Sequence, residues 1–508
     1  MFKASKYKDT SAKILFFVCA GLSVVAVFGI IGFILYASVP AFRQIGVFNF
    51  LFGTVWAPDL YNNGLASADR VFGILPMIVN SLLVTLGAIA IGGTIGVFTA
   101  IFLVFWCPDK LRIRYAGQNK FLQKVVSCIN KINLRTIFDQ IIKLLAGIPS
   151  LVYGFFAIEI IVPMLAAINP EGVGQGLLAC FLILAIMILP TITSLTKNAL
   201  EAVPEQYYEG ALAMGNTKAQ AVFRVVFPAA RSGIISALIL GIGRAVGEAM
   251  AVIWVCGNRA VFPDGLFSYI RTLTTNIVME MGYAPLDLHR PALIATGFVL
   301  LIIVLIINLS MNLVPKEFKG KRGNKVLSGE KTEIIYRKKG LVPEILKYVS
   351  MTLATLVAVI LALIVGFILV RGIGGLSWHF LFGRSTNADP TLVPAFAVTG
   401  YVILFTLIIA LPLGIGAAIY LVEYAKPGSK VVKVLRTFID TLSGVPSIVF
   451  GLFGMIFFGD ILGLGYSVLT GSFTMVLVVL PTIIRSTEEA LIAVPVSLRE
   501  ASYGLGAS

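Results

Sequence analysis

Long apolar stretches alternate with short polar segments along the whole chain. Most of the apolar stretches hold about 20 residues, which is the length that a helix needs to cross the hydrocarbon core of a bilayer. The pattern predicts ten membrane-spanning helices, near residues 14–36, 75–105, 141–165, 178–196, 233–255, 291–314, 348–370, 394–421, 438–459 and 467–487. A cleaved signal peptide is the alternative for the first stretch. Its apolar run of about 23 residues exceeds a signal-peptide core and favours a retained helix.

Lysine and arginine are concentrated in alternate polar segments. These basic segments are 1–13, 106–140, 197–232, 315–347 and 422–437, and the segments between them are nearly balanced in charge. Loops rich in Lys and Arg remain on the cytoplasmic side of a membrane. The pattern therefore predicts a cytoplasmic N-terminus.

Composition supports a membrane protein and argues against other classes. The chain is 58% hydrophobic and 13% charged, and its net charge of +15 is carried by the loops, so no nucleic-acid partner is needed to explain it. The five cysteines lack C-x-x-C spacing, and the two histidines are far apart, so we expect no metal site and no cofactor. The sequence contains no G-x-x-x-x-G-K-[ST] loop for ATP and no evident nucleophile or carboxylate dyad, which argues against an enzyme.

The polar segment 189–228 recurs at the end of the chain. Four landmark residues recur at one offset of 291: Pro190, Pro204, Glu209 and Gly215 correspond to Pro481, Pro495, Glu500 and Gly506. Residues 146–156 match 443–453 at an offset of 297, and residues 76–103 match 394–421 at an offset of 318. Two parallel copies that face the same side predict a permease with pseudo-two-fold symmetry and its pathway between the halves.

The repeated segment has the local signals of two short helices joined by a tight turn. Pro204 suits the first turn of a helix, and Gly215 can adopt the left-handed conformation that ends one. Asn216 and Thr217 can cap a second helix, which is expected to stop before Pro228. An ordinary amphipathic loop is the alternative, but its repetition favours a rigid docking element for a soluble partner.

This segment resembles the EAA loop of ABC importer permeases, with mild departures at Gly210, Val225 and Phe227. The resemblance implies an all-α polytopic membrane protein with the type I ABC importer permease fold, built as two tandem parallel repeats. It also implies that a coupling helix in each half docks on an ATPase subunit. The residues that match this role form the first EAA motif (Glu209, Gly210, Ala211 and Gly215) and the second EAA motif (Glu500, Ala501 and Gly506).

The segments 146–156 and 443–453, together with the run 241–252, resemble the two permease subunits of the phosphate-specific ABC importer. On this resemblance, residues 1–315 form a first permease unit with six spans and its EAA loop at 197–232. Residues 316–347 form a basic cytoplasmic linker, and residues 348–508 form a second unit with four spans, cut short in its EAA loop. The insertion around 114–135 is expected to be an interfacial amphipathic helix or an unstructured basic loop.

Arg244 and Glu248 lie within the predicted span 233–255, four residues apart and so on one helical face. A charged group at the bilayer centre costs about 3 kcal/mol on insertion scales, so these side chains are expected to face a cavity or a partner. A buried clamp between helices is the alternative to a role in translocation. The planar fork of an arginine suits an oxyanion such as phosphate, and the resemblance implies a functional role for this pair.

Proline and serine occur together in both halves, as Pro149–Ser150 and Pro446–Ser447. These residues are expected to break a helix near the middle of the membrane and to bring backbone N–H groups to the pathway. Helix packing by small residues is the alternative.

The predicted function is the permease component of an ATP-driven phosphate importer in the bacterial inner (plasma) membrane. The resemblance implies a homodimer of ATPase subunits and an extracytoplasmic phosphate-binding protein as partners. Other oxyanions (phosphonate, sulfate or molybdate) are alternative cargoes, and an ion-coupled secondary transporter is an alternative class. A secondary carrier, however, has no use for two cytoplasmic docking loops.

The alignment of the halves also makes a prediction about length. The first half continues for about 97 residues beyond Thr217, the position that matches Ser508. A second half of the same extent gives a chain of roughly 600 residues with twelve spans. On this expectation, the 508-residue form inserts with ten spans but does not drive phosphate uptake.

Overall fold

The computed structural model describes residues 2–108, 133–169, 173–285, 287–318, 341–425 and 429–505. Within these ranges the secondary structure is helical, and the only β-type pairings are two isolated bridges, Trp56 with Phe72 and Gly257 with Ile270. The predicted all-α class is confirmed. The predicted interfacial helix or loop at 114–135 lies almost entirely outside the described residues, as does most of the predicted linker at 316–347.

The described helices follow one another along the chain. They are α1 (Phe2–Ile45), α2 (Val47–Phe52), α3 (Pro58–Asn62), α4 (Ala68–Val71), α5 (Leu75–Phe105), α6 (Leu134–Gly147), α7 (Ser150–Ile168), α8 (Leu177–Glu201), α9 (Glu205–Ala213), α10 (Lys218–Val246), α11 (Leu273–Glu280), α12 (His289–Phe318), α13 (Leu341–Ile373), α14 (Trp378–Phe382), α15 (Val393–Tyr424), α16 (Lys430–Ser443), α17 (Ser447–Ile461), α18 (Val468–Ile492) and α19 (Val496–Gly504).

Nine of the helices in the described ranges are long and apolar enough to cross a membrane: α1, α5, α7, α8, α10, α12, α13, α15 and α18. They correspond to nine of the ten predicted spans. The remaining span, predicted at 438–459, corresponds to the shorter apolar helix α17. This segment is divided because Pro446 lacks a backbone N–H and disfavours helical geometry in the residue before it.

Two predicted spans have different limits in the structure. The span predicted at 141–165 is divided between α6 and α7, since Pro149 interrupts the helix in the same way. The span predicted at 233–255 ends much earlier, because α10 stops at Val246 and Gly247 follows it. Residues 250–255 form successive turns instead of a helix.

One compact unit comprises residues 76–275 and 306–374. Its apolar core is contributed mainly by α5, α7, α8, α10 and α13. Within it, α13 packs along α5, where Ala354 joins the buried residues Phe102 and Leu103. The first helix after the predicted linker therefore shares a core with helices of the first half of the sequence.

The other compact unit comprises residues 1–75, 276–305 and 375–508. Here α1 packs against α15 and α16, and the small residues Cys19, Ala20, Ala417 and Ala418 lie in the buried core. Small side chains allow apolar helices to approach closely, which favours van der Waals packing. Each compact unit thus combines residues from both halves of the sequence. The division of the sequence at 316–347 stays a prediction.

Candidate functional site

The first EAA motif lies on a helix followed by a tight turn, as predicted. Pro204 precedes α9, and Gly215 follows it with a φ of +80°. This left-handed conformation strains a residue with a side chain, so it favours glycine. The Gly215 N–H donates to the carbonyl of Leu212 at 2.9 Å, and the amide of Asn216 donates to the carbonyl of Ala211 at 3.0 Å. These bonds satisfy carbonyls at the end of α9.

The second helix of the loop begins with a reciprocal cap. The Gln220 N–H donates to Thr217 Oγ1, while the Thr217 N–H donates to Gln220 Oε1. The prediction that this helix stops before Pro228 is wrong, because α10 continues through it to Val246. A π turn at Val222–Val226 directly precedes Phe227 and widens the helix next to the proline, where a regular turn would clash with the ring.

The solvent-exposed residues of α9 and the turn after it include both polar and large apolar side chains. Glu209 and Gly210 are exposed, whereas Ala211 is buried against the rest of the loop. Tyr207 and Met214 are also exposed, Met214 by 83%. Exposed tyrosine and methionine side chains are enriched at protein interfaces, so this loop has the composition of a docking surface.

Aromatic side chains attach this loop to the membrane helices of its unit. The rings of Phe105 and Tyr208 lie 5.6 Å apart, and those of Trp106 and Phe223 lie 5.7 Å apart. Partial burial raises the pKa of the Tyr208 hydroxyl, because it disfavours the phenolate. These ring contacts connect the loop directly to the end of α5, a membrane helix of the same unit.

The second EAA motif is described up to residue 505. Glu500 and Ala501 lie on α19 and are exposed, and so are Val496 and Leu498. Gly506 lies outside the described residues. The part of the second motif that is described thus resembles the first in being a short helix with an exposed carboxylate.

The two proline segments form sharp turns with the same backbone geometry. We call residues 147–149 the first elbow and residues 444–446 the second elbow. Pro149 has φ −60° and ψ 141°, and Pro446 has φ −59° and ψ 141°. Ser150 and Ser447 begin the helices that follow. The predicted break in the helix is confirmed in both halves, while a role of these residues in the pathway stays a proposal.

The first elbow adjoins a cavity of about 560 Å³. Its walls are mainly apolar, with an amide and an ammonium group among them, and its lining residues are Gln140, Lys143, Leu144, Gly147, Ile148, Pro149, Val152 and Ile368. The hydroxyl of Tyr153 donates to the carbonyl of Leu145 at 2.6 Å and so connects the helices on either side of the elbow. Pro149 is exposed, in contrast to Pro446, which is buried.

Arg244 occupies the last turn of α10, and its side chain is exposed. Its Nη1 donates a hydrogen bond to Thr191 Oγ1 at 2.8 Å. Thr191 follows Pro190 within α8, so its hydroxyl lies in the predicted span 178–196. This arrangement fixes one edge of the guanidinium and leaves other N–H groups to bind an anion.

The expectation that Arg244 and Glu248 share a helical face is wrong. The helix ends at Val246, so Glu248 lies in the following turn, where its Oε1 accepts a hydrogen bond from the Ala251 N–H at 3.1 Å. The carbonyl of Glu248 accepts a second bond, from Thr274 Oγ1 at 2.8 Å. Glu248 therefore caps a turn, and Thr191 takes the place next to Arg244 that sequence spacing assigned to Glu248.

Buried polar residues at the start of α5 hold the segment 247–275 in place. The Asn80 amide donates to the carbonyls of Val261 and Arg271, and Ser81 Oγ accepts from the Leu273 N–H at 2.9 Å. Burial also raises the pKa of the Cys256 thiol in this segment to about 11. Sequence patterning missed Asn80 and Ser81, although a polar pair inside an apolar run signals a buried partner.

Glu159, an acidic residue within the apolar helix α7, has a partner in the structure. Its Oε2 lies 3.2 Å from Nη2 of Arg371, and both side chains are at least half exposed. The compact unit of residues 76–275 and 306–374 contains the first EAA motif, the first elbow and Arg244. The second motif and the second elbow belong to the other unit.

These features define a class of protein, the membrane transport permeases. Many apolar helices, a similar short polar helix in each half and a cation at the end of one span are typical of that class. The family of binding-protein-dependent transport system inner membrane components matches residues 130–319 and 410–508, which is more than half of the chain. The chain belongs to this family. Its members are membrane subunits of ABC importers rather than enzymes, and they act with an ATPase and a substrate-binding protein.

Several curated proteins are similar to this chain. A probable ABC transporter permease protein, YqgH of Bacillus subtilis, is 34% identical over 287 residues, which are 56% of this chain and 83% of that protein. The phosphate transport system permease protein PstC of Mesorhizobium japonicum is 33% identical over 51% of this chain and 76% of its own length. A PstA homolog of Mycoplasma pneumoniae, also named as a phosphate transport system permease protein, is 27% identical over 88% of this chain and 73% of its own length.

Proposed function

We propose that this chain forms the membrane pathway of an ATP-driven importer of inorganic phosphate. The ATP-driven class follows from the family, and the names of the PstC and PstA-homolog relatives support the cargo. The relatives together span both halves of the chain, as expected if two permease subunits of one phosphate system are fused. In this chain, the assignment of phosphate as the cargo rests on the exposed Arg244 beside Thr191.

The Arg244–Thr191 pair is suited to an oxyanion. One Nη of Arg244 is used by Thr191, so the remaining N–H donors point away from that bond and can bind two oxygens of one phosphate. Thr191 Oγ1 acts as the acceptor in this bond, which leaves its own O–H free to donate to a third oxygen. A tetrahedral anion accepts several bonds of this kind, and this preference favours phosphate over a neutral solute.

Coupling to ATP hydrolysis is assigned to the two EAA motifs. A homodimer of ATPase subunits presents two equivalent clefts, which suits two similar loops on one chain. We assign docking to Glu209, Gly210, Ala211 and Gly215 in the first motif and to Glu500, Ala501 and Gly506 in the second. The basic loops support a cytoplasmic location for both motifs and the N-terminus, where ATP is available.

The pathway is assigned to Arg244 and to the elbows. Pro149 with Ser150, and Pro446 with Ser447, interrupt helices in equivalent positions of the two halves, so backbone N–H groups at the start of α7 and α17 are available to an anion. In this assignment Glu248 shapes the turn after Arg244 and adds a negative charge beside the pathway, which discourages a second anion.

Transport by proteoliposomes tests this function. The permease, expressed from its complete gene, is reconstituted with its ATPase, with ATP in the lumen and binding protein with radiolabelled phosphate outside. We expect uptake that requires ATP and binding protein and is blocked by excess unlabelled phosphate. Equal inhibition by sulfate, molybdate or a phosphonate would contradict the assignment of phosphate as the cargo.

A further inference from the structure

An ion pair joins the helix before the first elbow to the helix that enters the first EAA loop. Lys197 Nζ on α8 lies 2.6 Å from Oδ1 and 2.7 Å from Oδ2 of Asp139 on α6. The two side chains are only 16% and 29% exposed. Because the ammonium bridges both oxygens in a partly buried place, the pair is shielded from solvent more than an ordinary surface pair.

An ion pair occupies the same place in the other compact unit, but with its charges exchanged. Nη2 of Arg436 on α16 lies 2.5 Å from Oε1 of Glu488 on α18. At the offsets that align the two elbows and the two EAA motifs, 297 and 291, Asp139 corresponds to Arg436 and Lys197 corresponds to Glu488. Both halves therefore have an ion pair at this position, but the basic and acidic residues are exchanged between them.

A neighbouring ion pair shows that this retention is selective. Arg135 and Glu201 lie one turn away on the same two helices and pair at 2.6 Å. Their counterparts in the second half are Val432 and Ile492, which carry no charge. Only the pair that includes Asp139 recurs, although both pairs connect α6 to α8.

We propose that these two ion pairs are the links through which the EAA loops move the elbows, so that their four members are positioning residues for transport. The proposal rests on the proposed function and deepens it. Lys197 and Glu488 lie one turn before the end of the helices that lead into the EAA motifs. Asp139 and Arg436 lie two to three turns before the elbows. A displacement of the docked loop along α8 or α18 therefore reaches the elbow through an ion pair that recurs in both halves.

The test separates linkage from assembly by measuring phosphate imported per ATP hydrolysed. It uses the permease from its complete gene with its ATPase and binding protein in proteoliposomes. Lys197→Glu and Asp139→Arg each place like charges together, and the double variant restores an attraction with the signs found in the second half. Glu201→Gln is the matched control, because it removes the neighbouring pair from the same helices.

Each single variant is expected to lower the imported phosphate per ATP by about fivefold or more, within the range typical of coupling between sites. The ATPase should remain bound, the double variant should recover most of the ratio, and Glu201→Gln should retain it. Lys197→Gln removes the attraction without adding repulsion, and it is expected to lower the ratio as well. It provides the test if the charge reversals reduce assembly. A wild-type ratio in Lys197→Gln, or no recovery in the double variant, would overturn the proposal. Absence of phosphate import by the unaltered permease would instead contradict the proposed function itself.

Discussion

Arg244 and Thr191 are joined by a 2.8 Å hydrogen bond between Nη1 and Oγ1, which links the end of α10 to the middle of α8. Glu248 takes no part in this hydrogen bond. The pair puts a fixed positive charge and a hydroxyl at one place on the membrane helices. The partner of Arg244 is thus a neutral hydroxyl and not the carboxylate of Glu248. A carboxylate would neutralise the arginine, whereas a hydroxyl leaves its charge available to an anion.

Replacement of Arg244 by Gln is expected to abolish phosphate uptake without loss of assembled permease. Glutamine keeps hydrogen-bonding capacity but removes the charge and the planar fork. Uptake is measured in membranes with equal permease content. Arg259→Gln serves as the control, since Arg259 is also exposed but lies in the segment after α10. Wild-type uptake by Arg244→Gln would leave this arginine with a structural role only.

Replacement of Glu248 separates its charge from its role in the turn. Gln retains the oxygen that accepts from the Ala251 N–H, so Glu248→Gln should keep the stability of the permease, whereas Glu248→Ala should lose about 1 kcal/mol, as for the loss of a cap. Thermal unfolding in detergent measures both. An equal loss in the two variants would show that the carboxylate charge, rather than the hydrogen bond, holds the turn.

The first EAA motif is expected to lose its ATPase when Gly215 is replaced by Pro. Proline cannot adopt a φ of +80°, and it removes the N–H that donates to Leu212. Co-purification of the ATPase with the permease is the measurement. Gly265→Ala is the control, because Gly265 is exposed, lies outside the EAA motifs, and a Cβ there meets no atom within 4 Å. Undiminished recovery and transport by Gly215→Pro would argue against docking at this motif.

Glycines at equivalent positions after the two elbows are expected to differ in their tolerance of alanine. A Cβ at Gly154 would lie 2.6 Å from Cδ1 of Trp254, whereas a Cβ at Gly451 meets no atom within 4 Å. Gly154→Ala should therefore destabilise the permease by about 1–3 kcal/mol through overpacking. Gly451→Ala should have little effect. Thermal unfolding of both variants provides the comparison, and an equal shift would contradict the described packing of α7 on the segment 247–256.

The sequence predicted the parts of this fold that depend on local patterns. Apolar runs of bilayer length predicted the spans, and a fixed offset between matching residues predicted the repeat. Gly215 and Thr217 predicted the turn and the cap, since each has a strong conformational preference. The elbows were also predictable, because proline restricts the residue before it wherever it occurs.

The rest depended on contacts between segments far apart in the chain. The end of α10 at Val246 was missed because the apolar run continues to residue 255. The turn that follows the helix is held by hydrogen bonds of Glu248 that the sequence pattern does not reveal. Thr191 was missed as a partner of Arg244 because the two are 53 residues apart. The pair Asp139 with Lys197 was detectable in principle, since its exchanged counterpart follows from the same offsets that identified the repeat.

The energy source of uptake is the most direct test of the central claim, that this permease couples phosphate import to an ATPase through its EAA motifs. Initial rates of phosphate uptake are compared in proteoliposomes with ATP in the lumen and no ion gradient, and in proteoliposomes with a proton or sodium gradient and no ATP. We predict uptake in the first condition only, and its loss in the Gly215→Pro variant. Uptake driven by the ion gradient without ATP would contradict the claim and would indicate a secondary transporter.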